Sequence, residues 1–323
     1  MLDCYSVWTC IPRLASMDFR QIRTFRSVAE LGSLSKAADK LRIAQPALSR
    51  QIKLLEHELR TELFTRSGRG MVLTEAGRIL LSRTAGIVRQ IDQIRDDIQS
   101  AAGAPSGRVV LGLVPTVSCV LSTRLAQRTV ETYPGISLCI VESYSGHLVE
   151  WLHRGEMDLA IIYGPSADLH LNLQSLGRDQ IVAVGPRGSG LARKKEVGMD
   201  WLLRQKLVLP SHSHGLRALI ERAAAKKKLQ LDVQLEADSF RVLTSLVEAG
   251  LGYTLLPPSS VRGEIRERRL EAATISGQAP MRELLIASPL DHPDSTATSV
   301  ITALLRSETG ACRDEGLWDI KLA

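Results

Sequence analysis

A strip of hydrogen-bond donors that contains no acid lies at Gln45, Ser49, Arg50 and Lys53. On a helix with 3.6 residues per turn, these side chains share one face within about two turns. Gln and Arg can form hydrogen bonds to base edges in the major groove of DNA, and Ser and Lys can hold phosphates. The chemistry that this spacing predicts is therefore recognition of double-stranded DNA.

The positive charge of the chain is concentrated around this strip. Residues 17–70 contain 11 Lys/Arg and 6 Asp/Glu, a surplus of 5 positive charges, whereas the whole chain of 323 residues has a net charge of +6. A basic block on a folded module is typical of a nucleic-acid-binding protein. On charge alone, a solvated surface without a partner remains the alternative.

Hydrophobic spacing predicts the elements that position the strip. Apolar residues recur every three or four positions in three consecutive segments, which predicts three short helices that each bury one face. Gly32 ends the first helix, Ser33 caps the second, and Pro46 lies in the first turn of the third, where its missing N–H costs nothing. The second and third helices together have the pattern of a helix-turn-helix. The predicted buried stripes are Phe19, Ile22, Phe25 and Ala29; Leu34, Ala37, Ala38 and Leu41; and Leu48, Ile52, Leu55 and Leu59.

The segment FTRSGRGMVLTEAG follows the third helix. Gly68 and Gly70 predict a turn between two short extended pieces. The expected structure is a wing whose Arg66 and Arg69 face the DNA backbone or the minor groove.

Residues 37–77, AADKLRIAQPALSRQIKLLEHELRTELFTRSGRGMVLTEAG, resemble the DNA-binding domain of LysR-type transcriptional regulators. The paired alanines, the pattern QPALS.QI..LE..L...LF.R and the pattern LT.AG are all present. The resemblance implies a mainly α winged helix-turn-helix. One departure is Ala44, where many members have a Ser or Thr that caps the recognition helix. The absence of this cap costs on the order of 1 kcal/mol of helix stability. The predicted DNA-binding residues are Ser33, Ser35, Gln45, Pro46, Ser49, Arg50, Lys53, Arg66 and Arg69.

A long helix is predicted next, over residues 74–102. Its apolar positions repeat at alternating three and four residues, with Thr84 in one skipped place, as in about three heptads of a coiled coil. A helix packed on the core of its own chain is the alternative. The resemblance identifies it as a linker helix that forms a homodimer or homotetramer, which would place two recognition helices about one DNA turn apart. The predicted dimerisation residues are Leu80, Ile87, Ile91, Ile94 and Ile98.

Beyond a break at AAGAPSG, apolar β-branched runs alternate with helical patterns. This alternation predicts a parallel α/β sheet that is buried on both faces. The resemblance implies an effector domain of two α/β subdomains, similar to type 2 periplasmic binding proteins. Residues 1–16 are predicted to be an N-terminal extension, interpreted as a wrongly assigned start, with a disordered extension as the alternative.

The other predicted boundaries are 17–74 for the DNA-binding domain, 75–103 for the linker helix, 104–306 for the effector-binding domain and 307–323 for a C-terminal tail. Within the effector-binding domain, subdomain I is predicted at 107–178 and 281–306, and subdomain II at 179–280.

Hydroxyl groups follow several of the predicted strands. Ligands in open parallel sheets bind at the carboxyl ends of the strands, where helix N-termini offer free N–H groups and a positive dipole. Such positions suit a small anion, and the resemblance implies an effector that is typically a carboxylate. Ordinary helix capping by Ser and Thr is the alternative. The predicted effector-binding residues are Thr116, Ser118, Ser143, Tyr163, Ser211, His212 and His214.

Other classes of function have weaker support in the sequence. His212 and His214 lack a third ligand at metal-site spacing, so no metal is predicted. No catalytic constellation or cofactor fingerprint appears, so we expect a regulator and not an enzyme on an α/β scaffold. A regulator of the same type that acts without an effector stays open. The resemblance implies double-stranded DNA, further copies of the chain and RNA polymerase as partners.

Composition indicates a cytoplasmic protein. The 5 cysteines are scattered and never spaced as C-x-x-C, so neither a disulfide framework nor a zinc site is expected. No apolar run approaches the roughly 18 residues of a membrane span, and the first sixteen residues lack the pattern of a secretory signal.

Overall fold

The computed structural model describes residues 17–68, 70–100, 103–164, 169–212, 214–277, 281–290 and 293–323. The predicted wing residue Arg69, the N-terminal extension and part of the break before the α/β region lie outside the described residues. The chain divides into two compact units, the first ending at Asp92 and the second beginning at Gln93.

The first unit consists of short helices, a β-hairpin and the start of a long helix. A core of nine buried apolar side chains, which includes Phe25, Leu48 and Leu55, joins the helices to the hairpin. In chain order the elements are α1 (Phe19–Leu31), α2 (Leu34–Leu41), α3 (Gln45–Leu59), β1 (Phe64–Ser67), β2 (Gly70–Leu73) and α4 (Glu75–Ser100). The three predicted helices and the two extended pieces of the wing are therefore present in the predicted order.

Local chemistry sets the helix ends. Asp18 caps α1 and forms a capping box with Gln21, and Gly32 ends the helix in the left-handed conformation that glycine favours. The Ser33 hydroxyl accepts a hydrogen bond from the Lys36 N–H and so caps α2, as predicted. Ala44 precedes α3 without a side-chain cap among the described residues. The helix that carries the donor strip therefore starts with less local stabilisation than its neighbours.

Two glycines bring the wing against the end of α1. The Met71 N–H donates to the Gly32 carbonyl oxygen at 2.8 Å, beside Gly70. A Cβ at Gly70 would lie 2.4 Å from that oxygen, and Gly70 has a φ of 118°. Only a residue without a side chain fits this contact, so the root of the wing is fixed to the turn between α1 and α2.

The predicted dimerisation residues do not share one environment. Leu80 packs against the core of the first unit, so this position of the expected seam serves the fold of its own chain. Ile87, Ile94 and Ile98 are exposed, with relative accessibilities of 42%, 58% and 69%, and Ile91 is half-buried. An apolar face is therefore left without cover in the described part of this single chain.

The second unit is an α/β domain with two hydrophobic cores. One core includes Leu111, Ile161 and Leu284, and the other includes Leu207, Ile220 and Leu255. In chain order its elements are β3 (Gly107–Leu113), α5 (Pro115–Thr132), β4 (Ile136–Glu142), α6 (Ser145–His153), β5 (Leu159–Gly164), β6 (Leu171–Gln180), β7 (Val182–Pro186), a 3-10 helix (Leu191–Arg193), β8 (Glu196–Val197), α7 (Met199–Leu203), β9 (Lys206–Leu209), α8 (Gly215–Lys226), β10 (Asp232–Glu236), α9 (Phe240–Glu248), β11 (Thr254–Leu256), a 3-10 helix (Pro258–Val261), α10 (Arg262–Arg266), β12 (Leu270–Ile275), β13 (Met281–Pro289), α11 (Thr296–Asp314) and β14 (Ile320–Leu322).

The expectation of a parallel sheet holds for only some of the strand pairs. The six-stranded sheet has the order β14-β6-β13-β5-β3-β4, and β3 is parallel to β4 and β5. However, β13 runs antiparallel to both β5 and β6, and β7 runs antiparallel to β11 and β12. Apolar strand sequences show burial on both faces but carry no information on strand direction, which is set by the long connections.

The C-terminal boundary at residue 306 is also too early. Helix α11 continues to Asp314, with Cys312 buried, and β14 adds an antiparallel edge strand to β6. Trp318 is 2% exposed and belongs to the first core of this unit. Residues 307–323 are therefore part of the α/β domain and not a separate C-terminal tail.

Candidate functional site

The donor strip of α3 lies on the outer face of the helix. Leu48, Ile52 and Leu55 are buried, which turns Gln45, Arg50 and Lys53 outward, where they are exposed; Pro46 is exposed and Ser49 is half-buried. Within the described residues, Arg50 and Lys53 have no ion-pair partner. The strip therefore presents donors that can bind an external acceptor.

Elements around α3 support the strip. The Ser35 hydroxyl lies 3.4 Å from the Gln45 side-chain oxygen, which links two of the predicted DNA-binding residues. Ser33 is half-buried and its hydroxyl caps α2. Glu56, which sequence reasoning missed, accepts hydrogen bonds from the N–H groups of Leu63 and Phe64 at 2.9 and 3.3 Å. This carboxylate ties the end of α3 to the first strand of the wing.

Arg66 lies in the wing strand β1, opposite Met71 of β2. Its side chain is exposed. A cation in this position can contact phosphates beside the groove that α3 would enter, but it carries little base information. The first unit thus presents an exposed donor strip on α3 and an exposed cation on the wing.

In the second unit, a small cleft with a volume of about 60 Å³ lies where the N-termini of three helices meet. Pro115 and Thr116 begin α5, Ser145 and Gly146 begin α6, and Gly215 begins α8. Helices α5 and α6 lack a side-chain cap in the described part of the chain. Converging N-termini give the cleft a positive dipole field and free N–H groups, which suit an anion.

A buried ion pair forms one wall of this cleft. Asp179 accepts two hydrogen bonds from Arg282, at 3.0 Å from Nε and 2.8 Å from Nη2, which leaves Nη1 outside the pair. The guanidinium carbon lies 4.1 Å from the centre of the Tyr163 ring. Burial raises the pKa of Asp179, and the Arg282 charge opposes that shift. Burial also raises the pKa of Tyr163, so its hydroxyl stays protonated and can donate.

His214 is held as a neutral donor. Its Nδ1 accepts a hydrogen bond from the Leu216 N–H at 3.1 Å, so the proton of the neutral ring is on Nε2. Burial lowers the pKa of His214 to about 4. The ring packs edge-on against Tyr144, with 4.3 Å between the two ring centres. Burial raises the pKa of Tyr144 to about 12. Both side chains are therefore uncharged near pH 7.

The rest of the cleft lining is apolar. This part comes from Val114 before α5, Leu216 in α8, two residues of α9 and one of β11. Such a surface can cover a hydrocarbon body while the helix N-termini meet a charged head. The apolar lining residues on these elements are Val114, Leu216, Phe240, Leu243 and Leu256.

The structure brings three predicted effector residues together and separates the others. Thr116, Tyr163 and His214 line the cleft, and the hydroxyls of Thr116 and Tyr163 share a short hydrogen bond. Ser118 is buried within α5, at 9% exposure, and Ser143 lines a neighbouring groove.

The remaining two predicted residues belong to the loop before α8. The Ser211 N–H donates to Asp238 at 2.8 Å. His212 is exposed, and its Nδ1 lies 2.9 Å from Glu221. Within the described residues, no group of three or more His, Cys, Asp or Glu side chains could hold a metal ion. In the same part of the chain, no helix is long and apolar enough to cross a membrane.

Sequence reasoning missed Arg282, Asp179 and Tyr144. Arg282 stands near the start of the apolar run ELLIAS that forms β13, and a charge next to a buried strand was a usable signal. Its partner Asp179 could not be found locally, since the two residues are 103 positions apart. Tyr144 follows the predicted residue Ser143 in the short connection between β4 and α6.

Comparisons with known proteins agree with these two parts. Residues 19–78 match the family model of bacterial regulatory helix-turn-helix proteins of the LysR family, and residues 102–310 match the LysR substrate-binding domain. The nitrogen assimilation regulatory protein nac of Escherichia coli (strain K12) is 32% identical over 247 residues, which are 76% of this chain and 80% of that protein. The transcriptional regulator BbuR of Bordetella bronchiseptica is 29% identical over 94% of this chain and 93% of its own length.

The fold has solved counterparts. A structure of full-length CbnR complexed with its target DNA has a TM-score of 0.68, is 19% identical, and covers 90% of this chain and 100% of that chain. At 19% sequence identity, the similarity to CbnR is evidence for a shared fold only. The two family models together cover most of the described chain, so the chain belongs to the LysR family of DNA-binding transcriptional regulators and carries the substrate-binding domain of that family.

Proposed function

We propose that this regulator is controlled by a small organic anion, typically a carboxylate, bound in the cleft between α5, α6 and α8. The observation that carries the proposal is the convergence of three helix N-termini and the Arg282 guanidinium on one cavity. The apolar lining would cover the body of the ligand, and the neutral donors Thr116, Tyr163 and His214 would orient its head.

Charge balance within the cleft favours an anion of low charge. Asp179 neutralises Arg282, so the attraction comes from the helix dipoles and from Nη1, which lies outside the pair with Asp179. A monocarboxylate can accept hydrogen bonds from Nη1 and from the helix N–H groups without breaking the ion pair. Of the predicted residues, Ser118, Ser143, Ser211 and His212 would then act through the surrounding loops and helices.

Control of DNA binding requires the ligand to prefer one of two states. An anion in the cleft would bias two arrangements of the oligomer and so change the spacing of the recognition helices, by its differential affinity for the two states. We propose that Gln45, Arg50 and Lys53 read bases and phosphates in the major groove, with Ser33, Ser35, Pro46 and Ser49 placing them, and that Arg66 and Arg69 hold the backbone.

The assembly is part of the same proposal. The exposed isoleucines of α4 support a homodimer through the linker helix, with a homotetramer as the full assembly. RNA polymerase is the expected partner during transcription, the site of action is the cytoplasm, and the protein acts as a regulator rather than an enzyme. Residues 17–74, 75–103 and 104–323 are our proposed DNA-binding, linker and effector-binding parts.

DNA footprinting with a panel of small organic acids tests the proposal. The wild type is expected to protect DNA upstream of its own coding region, and one acid of the panel is expected to change the length of the protected region. A double variant, Asp179→Asn with Arg282→Gln, removes the ion pair without leaving a buried unpaired charge. This variant should protect DNA but lose the response to the acid.

A matched control is Arg178→Gln, because Arg178 precedes Asp179 but is exposed, and within the described residues its one ion pair is a 3.6 Å contact with Glu283. This control should respond like the wild type. If no acid changes the footprint of the wild type, or if the double variant responds fully, the anion pocket is wrong. The effector-independent regulator, the second candidate, is then the better interpretation.

A further inference from the structure

The segment that follows α11 returns to the sheet beside the cleft. Ile320 of β14 pairs with Asp179 of β6 in the antiparallel register. Trp318, two residues earlier, is 2% exposed and packs in the first core of the second unit. The C-terminal segment therefore lies next to the carboxylate that holds Arg282.

Trp318 places a polar atom where an apolar ring would suffice for packing. Its Nε1 is buried and has no hydrogen-bond partner among the described residues. A buried N–H without an acceptor costs free energy, so a nearby acceptor is expected. Burial raises the pKa of Asp179, whereas Arg282 and the indole N–H of Trp318 both lower it. Asp179, the register partner of Ile320 two residues after Trp318, is the candidate acceptor.

Asp179 is connected to the cleft through its ion pair with Arg282. It is 2% exposed, Arg282 is 6% exposed, and the two are register partners on β6 and β13. Arg282 in turn stacks on Tyr163, whose hydroxyl bonds to Thr116 at the start of α5. Contacts therefore run from Asp179, which pairs with the C-terminal strand, through Arg282 and Tyr163 to the first helix of the cleft.

The segment also contacts the other side of the domain. The Gly316 carbonyl oxygen accepts a short hydrogen bond from Arg262, which begins α10. The chain between α11 and β14 is thereby held at two points, one on α10 and one on β6. This attachment limits the movement of Trp318 relative to Asp179.

We propose that Trp318 is a positioning residue of the effector cleft, which acts through Asp179 to hold Arg282 in its binding orientation. The role in effector binding rests on the proposed function, because it requires Arg282 to contact the ligand. The orientation of Arg282 itself is measurable without any ligand.

The test is the rate at which phenylglyoxal modifies Arg282 in the full-length protein, followed by peptide mass spectrometry. Trp318→Phe keeps an aromatic ring but removes the N–H, and it is expected to accelerate the modification on the order of tenfold, the effect of one hydrogen bond to a charged group. Trp201→Phe is the matched control, because Trp201 packs on Tyr253 in the other core. The control should leave the rate unchanged.

The same pair of proteins is then compared in an Asp179→Asn background. If Trp318 acts through the carboxylate, Trp318→Phe should cause no further acceleration there. Equal acceleration in both backgrounds would mean that the ring only fills space, and no acceleration in either would overturn the proposal outright. Loss of the acid response in the double variant, with unchanged Arg282 reactivity in Trp318→Phe, would overturn the role of Trp318 and leave the proposed function standing.

A second measurement does not need a folded Trp318 variant. With 5-fluorotryptophan incorporated, Asp179→Asn should shift the fluorine signal of Trp318 and leave that of Trp201 in place. If Trp318→Phe fails to fold, the fluorine signal of Trp318 alone tests the contact with Asp179. An unmoved Trp318 signal would contradict a contact with Asp179.

Discussion

The neutral state of His214 makes the stability of the α/β domain depend on pH. The group has an ordinary pKa of 6.5, and burial lowers it to about 4 in the folded protein. Because the unfolded chain binds the proton more tightly, the unfolded state is favoured as the pH falls from 6.5 toward 4. The stabilisation by the neutral ring is therefore complete above pH 6.5 and is lost on acidification.

The size of this effect follows from the shift of the pKa. The linkage relation gives a loss of about 2 kcal/mol at pH 5 and about 3 kcal/mol at pH 4, relative to neutral pH. The charge of Asp238 raises the pKa of His214 and the charge of Arg282 lowers it, so both residues are left unchanged in the variant that tests this effect. A loss of this size is a large part of the stability of a typical domain.

Urea unfolding of the wild type and of His214→Asn at pH 7 and pH 5 measures the effect. Asn can replace Nδ1 as the acceptor for the Leu216 N–H at the start of α8 and does not titrate. The free energy of unfolding should fall by about 2 kcal/mol more in the wild type than in the variant between these two values of pH. If both proteins lose the same stability, the reasoning about the buried imidazole is refuted.

Three further predictions concern other parts of the chain. Arg50→Ala should weaken binding to the operator by about 1 to 3 kcal/mol and binding to random DNA much less, whereas Arg66→Ala should weaken both alike. Titrations on operator and random duplexes measure this, and an equal loss of affinity for both duplexes in Arg50→Ala would contradict the assignment. In sedimentation, Ile94→Asp should shift the protein toward the monomer, whereas Arg95→Ala, at an exposed neighbour, should not. If the two variants sediment alike, α4 is not the interface. Partial burial of its thiol, together with Glu142 and Glu264, raises the pKa of Cys119 to about 11, although the residue remains accessible to solvent. Cys119 should therefore react with iodoacetamide on the order of a hundredfold more slowly than in urea-unfolded protein, and a rate like that of the unfolded chain would rule out the raised pKa.

The sequence was most informative where the structure depends on neighbouring residues. The stripe of Leu48, Ile52 and Leu55 fixes which face of α3 is buried, so the exposed donors follow from spacing alone. Gly32 and Ser33 mark a helix end and a helix start by local capping chemistry, and both act in this way in the structure.

Features that depend on distant pairing could not be derived in this way. The ion pair of Asp179 with Arg282 joins two strands that are 103 residues apart, and neither segment identifies its partner. The antiparallel direction of β13 likewise results from a long excursion through the other core before the chain returns. Leu80 fits a heptad as well as a domain core, because both require an apolar residue at helical spacing.

Residues 307–323 were missed for a related reason. Trp318, Ile320 and Leu322 alternate like a strand, but the run is too short to stand out against a loop. Its structure depends on the open edge of β6, which is formed by residues near position 178. An edge strand of three residues is specified by its template and not by its own pattern.

The contact between Gly32 and Gly70 has a consequence for the engineering of hybrid regulators. The hydrogen bond from Met71 and the 2.4 Å approach make the turn before α2 and the root of the wing a matched pair. A graft that exchanges only the recognition helix keeps this pair, whereas a graft that begins or ends between the two glycines combines halves from different parents. New DNA specificity should therefore be transplanted as one cassette that spans both glycines, or as the outward side chains of α3 alone.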